Sequence, residues 1–249
     1  MATGETIRLA AVADIHCSKN SQGTLQPLFA QIAASADILL LCGDLTDYGL
    51  PEEAHILTKE LTTALLIPTI AVLGNHDFES CKEREVTQIL CDAGIHMLDG
   101  DAVEVLGVGF AGVKGFAGGF VREAIDEALK LENALARLRT KHRIGVLHYA
   151  PIQATVEGEP PQIWPFLGSS RLEEPLTRYT VDAVFHGHAH NGCPEGRIRD
   201  TIPVYNVSLA LLKKTYPDRP PYRLFELPVK PPFEAAAPER SLSAGAPVP

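Results

Sequence analysis

Five continuous apolar runs recur along the chain: IRLAAVAD (7–14), DILLLCGD (37–44), PTIAVLGN (68–75), RIGVLHY (143–149) and VDAVFHG (181–187). None alternates apolar with polar residues, so each reads as a strand covered on both faces. Between them, 24–35, 51–66, 80–93 and 121–140 carry apolar residues at helical spacing; Val121, Ile125, Ala128, Leu131, Leu135 and Leu138 mark one face of the last. Pro51 suits the first turn of its helix. Strands alternating with helices predict an α/β chain of crossover units. Residues 100–119 mix glycine with apolar residues, and IPVYNVSLA and YRLFELP within 197–228 predict antiparallel strands and a second sheet region. From Pro231 onward the chain lacks almost all large apolar side chains, so 231–249 is expected to be a flexible Pro/Ala-rich tail on a single domain of residues 1–230.

Composition narrows the function classes. The 249 residues are 45% apolar, enough for one substantial core. Lys and Arg number 22 against 31 Asp and Glu, a formal charge of -9 that repels phosphate backbones and argues against non-specific nucleic-acid binding. Five cysteines without regular spacing do not make a disulfide framework and suit the reducing cytoplasm. Cys81 and Cys91, if both lie on the helix read over 80–93, stand roughly 15 Å apart, beyond disulfide reach. No basic leader precedes a clean apolar stretch, and no run approaches the ~18 apolar residues of a membrane span, so a soluble cytoplasmic protein without a membrane partner is expected.

The strand ends carry the chemistry. In open α/β sheets ligands collect outside the carboxyl ends of the strands. There the chain places Asp14 and His16, then Asp44 and Asp47 in GDLTD, then Asn75, His76 and Asp77 in GNHD, then His148, and last His188 and His190 in GHAH. Polar residues are ordinary where a chain turns. That explanation, however, predicts Ser, Thr, Lys and Glu as freely as His, and it does not produce a histidine cluster.

The ordered blocks D-x-H, G-D, G-N-H-D, a lone H and G-H-x-H resemble the calcineurin-like metallophosphoesterase family, in its bacterial phosphodiesterase-like branch. The resemblance runs from residue 14 to residue 190. It implies a four-layer α-β-β-α sandwich with a site for two divalent metal ions at one edge. By motif, Asp14, His16 and His190 would hold the first ion, Asn75, His148 and His188 the second, and Asp44 would bridge them. Imidazole, carboxylate and amide donors without thiolate suit Mn, Fe or Zn. The implied reaction is in-line attack of a metal-bridging hydroxide on a phosphate ester. In that scheme His76 protonates the leaving oxygen or stabilises phosphoryl charge, and Asp47 orients it. Asp77 reads as a supporting or turn residue.

Departures refine the substrate. Protein Ser/Thr phosphatases of this superfamily have glycine after D-x-H and arginine after the second aspartate, where this chain has Cys17 and Tyr48. The missing arginine removes a phosphate clamp. A phosphodiesterase acting on small diesters, such as cyclic nucleotides or glycerophosphodiesters, is therefore expected. A phosphomonoesterase with the same metals, an Mre11-like nuclease and a non-catalytic scaffold of the fold are the alternatives.

Other signals are weaker. GVGFAG (107–112) satisfies G-x-G-x-x-G, but more glycine follows where a helix should begin, so strand and turn are expected, with Lys114 a possible substrate contact. Segment 148–170, with Trp164 and Phe166, reads equally as a substrate lid or as a surface excursion packed by its own aromatics. His186 is expected in the core or behind the ligands, His55, His96 and His142 at the surface or its boundary, and Cys17 and Cys193 outside the ligand set.

Overall fold

The computed structural model describes residues 5–64, 66–116 and 119–229. The expected tail lies outside them. Two sheets pack face to face. The first contains β1 (Glu5–Val12), β2 (Ile38–Cys42), β3 (Thr69–Val72), β4 (His96–Met97) and the last strand, β11 (Arg223–Val229), in the order β11-β1-β2-β3-β4. The second contains β5 (Asp101–Val105), β6 (Val108–Val113), β7 (His142–Leu147), β8 (Ala183–His186), β9 (Glu195–Ile198) and β10 (Ile202–Asn206), in the order β5-β6-β7-β8-β10-β9.

The continuous apolar runs explain the layering. Along β1, Leu9 and Ala11 face the opposite sheet, while Ala10 and Val12 face helices. Between the sheets, Leu40, Ile70 and Val72 meet Phe110, Ile144, Val146 and Phe185. Outside the first sheet lie α1 (Gln26–Ser35), α2 (Pro51–Ala64) and α3 (Glu83–Asp92), burying Phe29, Ile32, Leu57, Leu61, Val86 and Leu90. Outside the second lie α4 (Val121–Arg137) and α5 (Glu173–Arg178), burying Leu131, Leu135 and Leu176. The result is the expected α-β-β-α sandwich. Each face of a both-sides-buried strand has its own partner layer, which a two-period alternation would not allow.

Four local readings change. IPVYNVSLA is strand only to Asn206; at Ser208 the chain turns, the Leu209 N–H bonds the Ala13 carbonyl, and α6 (Leu209–Thr215) begins. The β10 strand is also parallel to β8 and antiparallel only to β9. YRLFELP is antiparallel as read, but it joins the first sheet beside β1 rather than a separate region. The third helix starts at Glu83, with Cys81 outside it at φ 53, so the helical spacing invoked for Cys81 and Cys91 does not apply; all five cysteines are free. GVGFAG falls on a turn and β6, followed by no helix start within the motif. Among the described residues, no helix is long and apolar enough to cross a membrane.

Candidate metal centre

The carboxyl ends of β1, β2, β3, β7 and β8 converge on one edge, and the loops leaving them are unusual in backbone. Asp14 (φ 55), His16 (φ 47), Asp44 (φ 49) and His188 (φ 69) all occupy the left-handed region without being glycine. Such conformations cost of order 1–3 kcal/mol each and persist where surrounding structure fixes them, most often at functional sites. Two glycines make the convergence possible. A Cβ on Gly43 would lie 2.4 Å from His148 Nδ1, and one on Gly74 would lie 2.1 Å from Asp44 Oδ1. The G-D and G-N-H-D motifs thus place glycine where another strand's functional side chain needs the space.

Three donor groups form at this edge: Asp14, His16 and His190; Asp44, His148 and His188; and His16, Asp47 and His76. Asp44 faces two of them at once, with Oδ2 3.8 Å from His16 Nε2 and Oδ1 3.4 Å from His148 Nε2. Asp14 Oδ1 lies 3.6 Å from His190 Nε2 and 3.8 Å from His148 Nδ1. Asn75 Oδ1 is 2.9 Å from His148 Nε2. All seven residues expected as ligands are therefore neighbours across one centre.

Supporting contacts aim the donors. His148 is fully buried, and its Nδ1 lies 3.0 Å from the Cys42 carbonyl. An Nδ1–H donated to that carbonyl leaves the Nε2 lone pair facing Asp44 and Asn75. Both Asp14 oxygens accept the His188 N–H, at 3.1 and 3.0 Å. Burial works against an ionised Asp14, yet His190 and His148 outweigh it and hold the carboxyl well below its usual range. Burial, with His148 nearby, lowers His188 to about 3, so its imidazole is neutral at pH 7 and free to donate a lone pair.

Metal ions fit this site. The donors are carboxylate oxygens, an amide oxygen and imidazole nitrogens, and His16 Nδ1 is buried without a hydrogen-bond partner among the described residues. Cys17 does not join them. Its thiol is buried, its Sγ lies 3.6 Å from the Glu53 carbonyl as a donor, and burial pushes its pKa up to about 12.

His76 and Asp47 lie together at the rim, but their contact differs from the expected one. His76 Nδ1 lies 2.9 Å from the Asp47 backbone carbonyl and 3.0 Å from Glu79 Oε1, whereas the Asp47 carboxylate sits 3.6 Å from His16 Nδ1. Asp47 therefore meets His76 through its backbone carbonyl, while its carboxylate faces His16. Burial would lower the His76 pKa, but the Asp47 carbonyl and the Asp44, Glu79 and Asp47 carboxylates together raise it. Sequence reasoning missed Glu79, whose only signal is an acid one turn beyond His76.

Asp77 is fully buried and accepts from the Leu45, Thr46 and Gly74 N–H groups and the Thr46 hydroxyl, tying the GDLTD loop to GNHD. Asn206, also missed, is buried and donates Nδ2–H to the Ala189 carbonyl at 2.8 Å, bracing the GHAH loop. His186 is a core residue bonded to the Thr155 hydroxyl. His55 and His96 are exposed, and His142 pairs with Asp182 at a half-buried boundary.

Segment 148–170 is packed by its own side chains, as one of its two readings expects. It folds as short 3₁₀ helices over a cluster of Ala150, Val156 and Leu167 with Ala189 of the GHAH loop, and Trp164 packs against them. It also borders the centre, since the Phe166 carbonyl lies 3.3 Å from His188 Nε2 and Tyr149 packs on the His188 ring at 4.5 Å.

No curated protein matches the chain. Among solved structures, phosphopantetheinyl hydrolase from Mycobacterium tuberculosis superposes with TM-score 0.67 at 14% identity, over 90% of this chain and 97% of that one. TT1561 of Thermus thermophilus gives 0.55 at 16% identity, over 84% and 92%. A match to the calcineurin-like phosphoesterase family spans residues 7–192, and the chain belongs to that family.

Proposed function

We propose that this chain hydrolyses phosphate esters with two bound divalent metal ions and prefers diesters of small organic alcohols. The observation that carries the reading is Asp44, whose two oxygens face separate groups of histidine donors. Asp14, His16 and His190 would hold one ion and Asn75, His148 and His188 the other, with Asp44 shared. When bound, such ions neutralise phosphoryl oxygens and lower the pKa of an attacking water.

His76 is the proton donor of this reading. With Nδ1–H directed at the Asp47 carbonyl and Glu79, its Nε2 carries the proton available to the leaving oxygen. The raised pKa keeps more of that proton in place near neutrality. The diester preference rests on Tyr48, which is exposed at the position where protein phosphatases of the superfamily carry their arginine clamp. The five free cysteines suit a reducing compartment such as the cytoplasm.

The test measures hydrolysis of bis(p-nitrophenyl) phosphate, p-nitrophenyl phosphate, cyclic nucleotides and a phosphopantetheinyl ester with Mn, Fe or Zn added. The last substrate takes its cue from the name of the Mycobacterium protein. Diester turnover above monoester turnover is expected, and the reverse by a wide margin overturns the preference. His76→Ala should keep both metals and lose ~10²–10⁴ in kcat. Asn75→Ala should instead lower metal content. Less than one metal per chain together with no activity in Mn would remove the enzyme reading altogether.

A further inference from the structure

Beside the centre, a cavity of about 470 Å³ opens between α3, the β4–β5 connection and the end of β6. Leu73 and Phe78, from the two flanks of the GNHD loop, form its near wall; Met97 and Leu98 make it apolar, and Arg84 and Lys114 are its cations. Its size exceeds what a phosphate group needs and suits a small organic body.

Lys114 is the unusual member. Its Nζ lies 4.2 Å from the Phe116 ring centre, 5.1 Å from Phe78 and 5.9 Å from Tyr149. Tyr149 packs in turn on His188, so the ammonium stands one aromatic ring from the metal centre. Among the described residues, no carboxylate is within ion-pair reach of Lys114. The acids that could compensate it are already engaged: Lys130 bonds Asp99 at 3.1 Å and Glu127 at 2.7 Å, and Arg137 holds Asp101 at 3.3 Å. Glu83, in the first turn of α3, is the remaining acid of the wall. In a protein of net charge -9, this wall keeps two cations with most of its anions neutralised from outside. Holding a largely buried ammonium without an anion is costly, and burial accordingly lowers its pKa. The aromatic rings offset only part of that cost.

We infer that Lys114 is a specificity-determining residue: it binds an anionic group, a carboxylate or second phosphate, on a substrate whose organic body occupies this cavity beside the metal centre. The inference deepens the phosphoester-hydrolase reading and rests on it for the substrate's other end.

Three p-nitrophenyl diesters test it, those of propanol, 3-hydroxypropanoate and propanediol monophosphate, which share a leaving group and differ in the terminal group. With Mn-loaded wild type, kcat/KM should be about tenfold or more higher for at least one anionic ester than for the propyl ester, equivalent to about 1.4 kcal/mol. Which of the two gains identifies the anion. Lys114→Met should erase that preference through KM, lowering kcat/KM for the favoured anionic ester about tenfold more than for the propyl ester; Lys114→Gln serves if the Met variant fails to fold. Equal preference in variant and wild type, no preference in wild type, or a uniform fall for all three esters overturns the inference. A second readout needs no turnover, because Cys91 is exposed and lines the same cavity. In Mn-loaded protein, 3-phosphonopropionate or propane-1,3-diphosphonate should slow alkylation of Cys91 several-fold more than propylphosphonate does, and Lys114→Met should abolish the difference. Absence of any diester hydrolysis would undo the proposed function, while Cys91 protection would still decide for or against Lys114.

Discussion

Replacing Asp77 by Asn removes one charge and disturbs four hydrogen bonds. Asp77 Oδ2 accepts the Gly74 N–H at 2.8 Å and the Leu45 N–H at 3.2 Å; Oδ1 accepts the Thr46 N–H at 2.8 Å and the Thr46 hydroxyl at 2.5 Å. An amide nitrogen on the Oδ2 side would oppose two backbone donors. On the Oδ1 side the Thr46 hydroxyl could turn to accept from it, leaving one orphaned N–H, so the side chain will choose that orientation. The orphan costs about 1–3 kcal/mol, and weakening the bonds that had a charged acceptor adds about as much. Against this stands the desolvation of the carboxylate, which raises the Asp77 pKa and is relieved in the amide. The net loss is about 2–4 kcal/mol, or a melting point lower by roughly 5–15 °C for a domain of this size. Melting in chelator isolates the effect from metal stabilisation. Metal affinity should fall as well, although no candidate ligand has changed, because the loops carrying Asp44 and Asn75 lose their tie. A chelated variant that melts within about 2 °C of wild type would refute the role of Asp77 as a loop tie.

Three further changes probe neighbouring parts. Gly74→Ala puts a Cβ 2.1 Å from Asp44 Oδ1 and 2.3 Å from the Asp44 backbone nitrogen, so it should lower activity by about 10² or more through displaced metal; near-normal metal content and turnover would contradict the crowding. Cys17→Ser should leave metal stoichiometry unchanged by elemental analysis, and a drop would return the sulfur to the ligand set. His186 is fully buried, and burial lowers its pKa from 6.5 to about 4. The unfolded chain then binds this proton more readily between those values, so the stability His186 contributes is complete above about pH 6.5 and falls as pH drops toward 4, by roughly 3 kcal/mol in all. In chelated protein, His186→Gln should flatten that part of the denaturant-derived stability curve, whereas equal slopes in variant and wild type would show that His186 does not titrate there.

Much of this was legible because strands buried on both faces write themselves as unbroken Val, Ile and Leu, and because the side chains that follow them cannot be explained by turns. The seven expected ligands meet for that reason. Failures came where a non-local contact decides. VSLA after Asn206 reads as more strand, but the Asn206 Oδ1 accepts the Ser208 N–H and the Ala13 carbonyl accepts from Leu209, turning the chain into α6. Asp47 came with the family resemblance, which cannot distinguish its carboxylate from its carbonyl. Lys114 stood out weakly beside a glycine-rich run; its lack of a counter-ion among the described residues depends on Lys130 and Arg137 reaching across from α4, which nothing local encodes.

The pairing of β1 with β11 has a bearing on how the molecule is made. Glu5 lies opposite Val229 and Ala11 opposite Arg223, so the earliest-made of the described strands waits for the latest to close its outer edge. Until residues 223–229 emerge, β1 presents a row of unpaired N–H and C=O groups beside a nearly complete metal centre. A nascent chain stalled before Arg223 therefore already holds all seven metal donors but is a template for strand addition, and its hazard during synthesis is aggregation.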